Sequence, residues 1–310
     1  MRPALSVIFF TVLSGAGLGL FALLALAQAA GSPAGLEPAM HFAGGTLAVA
    51  LVAAGLISST FHLANPRNAW RAATQFRYSW LSREAVLALL FFPIALAYLA
   101  AVRLHLPFAL QTTLGLTGTA LAWAILLCTG MIYACLKTIP RWHTPLVPAA
   151  YIVNGHLSGS LILLALAAAD RKPTGAYVAL VLIALAAAGA IKWLYFRRFG
   201  PPRVGAHSLS SAIGMTAAQA KLLDAGHTHG TFLTHEFVFR LGRDRALQLR
   251  ALFFALSLLL PAVVVALDVR SAWVLASIAL LCLVGLLIER WLFFAEAQHV
   301  VRLFHGQQAV

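Results

Sequence analysis

"FHLANPRNAWRAATQFRYSWLSRE", Phe61–Glu84, decides the fold, because of what stands on either side of it. It is bounded by two apolar runs, Met40–Leu63 and Glu84–Leu104, and four arginines, Arg67, Arg71, Arg77 and Arg83, lie between them. About 20 apolar residues at a rise of about 1.5 Å each cross the hydrocarbon core of a bilayer, and each run reaches that length. The stretch therefore reads as a basic connection between two membrane spans. A histidine, His62, closes the first span, and a carboxylate, Glu84, opens the next.

Working outward, the same length criterion finds six more spans: Ala4–Ala30, Leu110–Leu136, Leu146–Ala169, Gly175–Phe196, Leu247–Leu267 and Ser271–Phe294. The whole chain agrees with this reading. Of 310 residues, 61% are hydrophobic and 10% charged, which excludes an ordinary soluble domain. Arg2 followed by an apolar run ending in "ALAQAA" imitates a signal peptide, but the run exceeds an h-region of roughly 7–15 residues and reads as a retained helix. The three cysteines, Cys128, Cys135 and Cys282, lie in apolar segments without a C-x-x-C pair, so neither a disulfide framework nor a thiolate-held cluster is expected in this chain.

Charge then sets the expected orientation. Of the 22 Lys and Arg residues, all but Arg103, Arg171, Lys172 and Arg270 fall on one face of an eight-span bundle. The positive-inside rule puts that face, with both termini, in the cytoplasm. The net charge of +13 is thus explained first by topology, and no nucleic-acid motif accompanies it. The expectation is an all-α integral membrane protein, one bundle over 1–310 with a cytoplasmic loop at about 197–246. Small residues spaced by four, at Gly15 and Gly19, Gly55 and Ser59, Gly115 and Thr119, and Gly155 and Gly159, predict close helix packing. In the long loop Thr216 and Gly226 bracket a short helix, and "THGTFLTHEFVFRLGRDRA" suits an interfacial one.

Ionisable groups at membrane depth carry the functional argument, since leaving them unpaired is expensive. His62 and Glu84 share one depth and can meet in one pocket on adjacent antiparallel helices. Their plainer readings are a histidine at a helix end, meeting free carbonyls, and a first-turn carboxylate beside a Ser82 cap. The two types suit proton-coupled redox chemistry, because imidazole and carboxyl groups accept protons near neutral pH.

The elements "FHLANPRNAW", "SWLSRE", "LKTIPRWHTPLVP" and "ERWLFFAEAQHV" resemble the membrane anchor subunits of the dimethyl sulfoxide reductase family, the DmsC type. Ala64 and Asn65 in "HLANP" depart from the glycine-serine form of the enteric anchors. The resemblance implies a bacterial inner-membrane, multi-pass anchor with no terminal-substrate chemistry of its own. Its partners would be a ferredoxin-like iron–sulfur subunit and a molybdopterin catalytic subunit, and related anchors serve sulfite oxidation as well as anaerobic respiration. It also implies an exchangeable quinone or menaquinone as cofactor, with no haem or iron–sulfur cluster in this chain. His62 and Glu84 match the family's menaquinol-associated positions; Arg83, Trp142 and His143 are candidates for the walls of the same site.

Other readings compete on the same residues. A haem-b-containing quinone-reactive subunit needs paired axial histidines, and His41 and His62 lie about 31 Å apart on one helix. His156 has no evident mid-membrane partner, although His41 and His105 share a face. A small-solute transporter would show matched halves and broken helices, which are not evident around Pro93 and Pro261. His227, His229 and His235 fit no standard zinc spacing, so no metal site is expected. Glu289 and Arg290, being adjacent, are expected on different helix faces, whereas Glu296 and His299 are expected to share one as an outer proton path.

Overall fold

In hydrocarbon a backbone can satisfy its own polar groups by closing into helix, and apolar runs of this length do so here. A computed structural model describes residues 3–31, 35–61, 63, 65–199, 210, 213–214, 243–300 and 303. Its elements are α1 (Leu5–Ala29), α2 (Pro38–Thr60), α3 (Trp80–Arg103), α4 (Phe108–Ala134), α5 (Leu146–Ala169), α6 (Gly175–Phe199), α7 (Arg243–Phe254), α8 (Leu260–Ala266) and α9 (Ala272–Ala295). A π-helical turn, Ala255–Leu259, joins α7 to α8. Among the described residues, eight helices are long and apolar enough to cross a membrane, α1 to α6, the combined α7–α8 and α9, as the sequence predicts. With an even number of crossings, the start of α1 and the end of α9 lie at the same end of the bundle. This is the basic end, since most Lys and Arg residues are there.

The centre of the bundle is α1. Its apolar window is 78% buried, against 61% for the next most enclosed span, α5. Glycines explain how neighbours reach it. A Cβ on Gly155 would stand 2.8 Å from the Gly15 carbonyl, and one on Gly159 2.5 Å from the Leu20 amide, so α1 and α5 meet backbone to backbone. On another side of α1, a Cβ on Gly55 of α2 would stand 2.8 Å from the Ser14 amide. The Gly15/Gly19 and Gly155/Gly159 spacings read from the sequence are thus two halves of one contact. Gly115 instead accommodates the Tyr98 ring and Ala25.

The π turn has a local cause. Pro261 has no N–H to give the Ser257 carbonyl, and the freed region faces α9, where Ser257 Oγ donates to the Cys282 carbonyl at 3.1 Å. Gly285 leaves room for that approach.

Two expectations about the first loop are corrected. The connection from α2 to α3 contains a 3₁₀ segment, Pro66–Gln75. Helix α3 begins at Trp80, and its cap is Ser79, whose Oγ accepts from the Ser82 amide at 3.3 Å. Glu84 therefore lies in the second turn, away from the free amides that would favour a first-turn carboxylate. In the long loop, the helix expected over 216–226 and most of the interfacial helix expected over 228–246 fall outside the described residues. Arg243–Ala246 are already part of α7.

If the glycine contacts hold the bundle, Gly55→Ala and Gly155→Ala each lower stability in detergent by about 1–3 kcal/mol, read as an earlier thermal midpoint. Gly189→Ala is the control, because its Cβ would meet only Leu258 at 4.0 Å and should leave the midpoint unchanged.

Candidate functional site

The second turn of α3 points Glu84 inward, where it is 3% exposed. Its partner is on α4: the Thr129 hydroxyl donates to Glu84 Oε1, and the same hydroxyl lies 2.9 Å from the Ile125 carbonyl. Among the described residues, no cation pairs with Glu84. The other two buried carboxylates are held differently. Glu289 is paired with Lys192 of α6 and with Arg290, the latter at 3.2 Å. Glu296 takes Arg141 at 3.0 Å and Arg250 at 2.7 Å. A cation would lock a carboxylate in its ionised form; a hydroxyl can meet either protonation state.

These groups form a layer. Counting about 1.5 Å per residue from the basic end of each helix puts Glu84, Thr129, Tyr151, Glu289, Arg290 and Lys192 all about 6–11 Å inside it. Between Glu84 and the ion cluster stands an aromatic box. Tyr133, one turn beyond Thr129 on α4, stacks on Tyr151 of α5 at a centroid distance of 5.8 Å. It also meets Trp142, Phe293 and Phe294 edge-on at 5.2, 5.5 and 5.4 Å. Arg290 lies 3.7 Å over the Tyr151 ring, so its charge is shared between a carboxylate and a π face. A water-sized cavity borders Tyr151, Asn154, Ser158 and Arg290, and Asn154 Nδ2 and the Tyr151 hydroxyl have no hydrogen-bond partner among the described residues.

Of the residues proposed from the sequence, some have a place among the described residues and some do not. His62 lies outside the described residues, so its distance from Glu84 is not part of this geometry. Arg83 holds the preceding turn, donating to the carbonyls of Phe76 at 3.0 Å and Arg77 at 2.8 Å and lying 4.3 Å over the Trp80 ring. Trp142 is buried in the aromatic box, and its Nε1 donates to the Phe293 carbonyl at 3.1 Å. His143 is exposed, and its Nδ1 donates to the Ala134 carbonyl at 2.7 Å, closing the end of α4. Elsewhere, His41 bonds to Tyr98 at 2.7 Å. His156 uses both ring nitrogens, with the Ile152 carbonyl at 2.8 Å and Trp123 Nε1 at 3.0 Å. His227, His229 and His235 lie outside the described residues.

One further expectation is overturned, and another gains an addition. Glu289 and Arg290, though adjacent in sequence, form an ion pair through the long arginine side chain. Glu296 and His299 do not share a helix face: α9 ends at Ala295, Glu296 is its cap, and His299 lies beyond in irregular chain, where burial holds its pKa below the usual imidazole value. Sequence reasoning missed Thr129, Tyr133, Tyr151 and Lys192. Lys192 carried a signal, a lone ammonium inside the apolar run "LAAAGAIKWLYF".

An eight-span bundle with an ionisable layer at one end defines a multi-pass helical membrane protein. The chain matches the DMSO reductase anchor subunit (DmsC) family over residues 1–295 and belongs to that family. It is a membrane anchor subunit that associates with the catalytic partners of a molybdoenzyme complex. A sulfite dehydrogenase subunit of Allochromatium vinosum is 33% identical to it over 328 residues, covering 100% of both chains.

Removing the shared anion should be far worse than removing the pair. Glu289→Ala leaves two cations buried without it and is expected to cost about 3–5 kcal/mol, seen as loss of folded protein or a much earlier melt. Lys192→Met combined with Glu289→Met should recover a substantial part of that loss in the same melting assay.

Proposed function

We propose that this anchor exchanges electrons between a quinone in the bilayer and an iron–sulfur subunit docked on the basic face, with Glu84 handling the accompanying protons. The observation that carries this reading is a buried carboxylate whose partner among the described residues is the Thr129 hydroxyl rather than a cation. Quinone reduction consumes two electrons and two protons, so a site for it needs a protonatable group at membrane depth. Glu84 supplies one about 6 Å from the start of its helix, within reach of the loop that also carries His62. In the family resemblance these two positions are the quinol-associated ones. The aromatic box on the Glu84 side of the ion cluster offers flat apolar surface against which a quinone ring packs well.

The name of the A. vinosum relative extends the reading to substrate and direction. A molybdopterin partner oxidising sulfite to sulfate with water releases two electrons, which pass through iron–sulfur centres to the anchor and on to quinone. The catalytic partners would then sit on the cytoplasmic side, where the positive-inside rule puts the basic face of this bundle. Arg67, Arg71 and Arg77 belong to that face, and Arg71 and Arg77 are exposed there, available to an acidic partner surface or to anionic lipid.

In the assembled complex, Glu84→Gln is expected to lower quinone-linked turnover by at least about 100-fold while subunit association persists. Thr129→Val should give a smaller loss, and His62→Ala a loss comparable to Glu84→Gln. Unchanged turnover in Glu84→Gln would sink the proposal.

Orientation has its own test. Cys135, at the basic end of α4, is exposed while Cys128 and Cys282 are buried. A membrane-impermeant maleimide should label Cys135 in inside-out vesicles and spare it in intact spheroplasts. The opposite pattern would put the basic face outside.

A further inference from the structure

At the end of the bundle opposite Glu84, α2 and α9 both pack against α5 and leave a groove between them. The cavity is about 610 Å³. Its walls are hydrocarbon: Leu47 and Leu51 from α2, Ile162 and Leu166 from α5, Ala276 and Leu283 from α9. It runs from the end of the spans toward mid-membrane, about 17 Å from Ala272 to Leu283 at 1.5 Å per residue. Only one charged residue lines it, Arg171, at the rim. Trp273, 86% exposed, stands at the same rim, the depth at which tryptophan meets lipid headgroups.

Arg171 is set there by an unusual backbone. Helix α5 ends with the Lys172 amide donating to the Ala167 carbonyl at 3.0 Å and the Arg171 amide to Ala168 at 3.2 Å. That pattern puts Arg171 at the left-handed position normally given to glycine, with φ of +55°. His105 and Asp268 end α3 and α8 in the same conformation, so strain alone does not single out Arg171. What does is its freedom beside the groove. Its neighbours are engaged: Asp170 Oδ2 accepts from the Glu37 amide at 2.6 Å, and Lys172 pairs with Glu37 at 2.5 Å, which holds the Lys172 pKa above the usual ammonium range. Arg171 has no ion pair among the described residues.

We infer that this groove binds a phospholipid, one acyl chain lying along α5 between α2 and α9 and the phosphodiester held by the Arg171 guanidinium. The chemistry matches at both ends: a planar fork of donors at headgroup depth suits a phosphate, and the hydrocarbon walls beneath it suit an acyl chain. A quinone headgroup is poorly served, because the lining offers a single charged side chain, at the rim, and hydrocarbon below it. This site is separate from Glu84 and does not depend on the quinone reading.

The test is native mass spectrometry of the full chain in mild detergent, titrated with phosphatidylglycerol, alongside lipid and quinone analysis of what the purified protein retains. The wild type should keep one phospholipid beyond the detergent-exchangeable population. Arg171→Gly, which suits the left-handed position, should melt at the same temperature or later yet bind at least 10-fold more weakly. Ala276→Trp, which fills the groove from an exposed position, should also lose the bound lipid. Equal retention in the wild type and Arg171→Gly would mean nonspecific annular lipid and overturn the proposal, as would a quinone recovered from this groove in place of phospholipid.

Discussion

Everything in the bundle is arranged around the backbone contact between α1 and α5. Lipid tails are as apolar as leucine, so burying leucine against leucine gains little in a bilayer, and close approach of the main chains has to supply the association. At Gly19, Gly155 and Gly159 no side chain separates the two helices. With α5 fixed on α1, the neighbours follow: α2 on another side of α1, α4 against both, and α9 on α5. The ionisable layer near the basic end depends on that order, because Tyr151 of α5 and Arg290 of α9 touch only when those helices are in register.

The three carboxylates buried among the described residues show how one protein can treat the same group in two ways. Glu289 and Glu296 are each surrounded by two cations, which makes them structural joints between distant segments. Glu84, among the described residues, is given a hydroxyl and an enclosed position, and a hydroxyl can meet a carboxyl group in either protonation state. The division of labour follows from the neighbours and not from depth, since all but Glu296 lie within the same layer.

Much of this is legible in the amino-acid order, for a physical reason. Span boundaries come from length and hydropathy, which are local properties, so Leu146–Ala169 is predicted to the residue and the end of the sixth span to within three. The glycine spacings are equally local. Partners are not. Nothing in "LLCTGMIYACL" announces that Thr129 meets Glu84 or that Tyr133 stacks on Tyr151, because those contacts depend on the rotation of α4 against α3 and α5. The Glu289–Arg290 pair escapes helix-face rules because these describe Cβ directions, whereas an arginine is long enough to reach around its own backbone. The start of α3 turns on the choice between two nearby serines, Ser79 and Ser82, each a competent cap by composition, and the structure uses the one that the sequence reading passes over.

The chain just past α9 has a mechanical role that its irregular shape conceals. Glu296 ties the loop after α4, through Arg141, to the start of the seventh span, through Arg250, and the Val300 amide then bonds to the Thr138 carbonyl at 3.1 Å. Three stretches far apart in sequence are thereby fastened together over the buried Trp142. A docking subunit would thus meet a surface already stiffened there, so little ordering entropy would be lost at that patch when the complex forms.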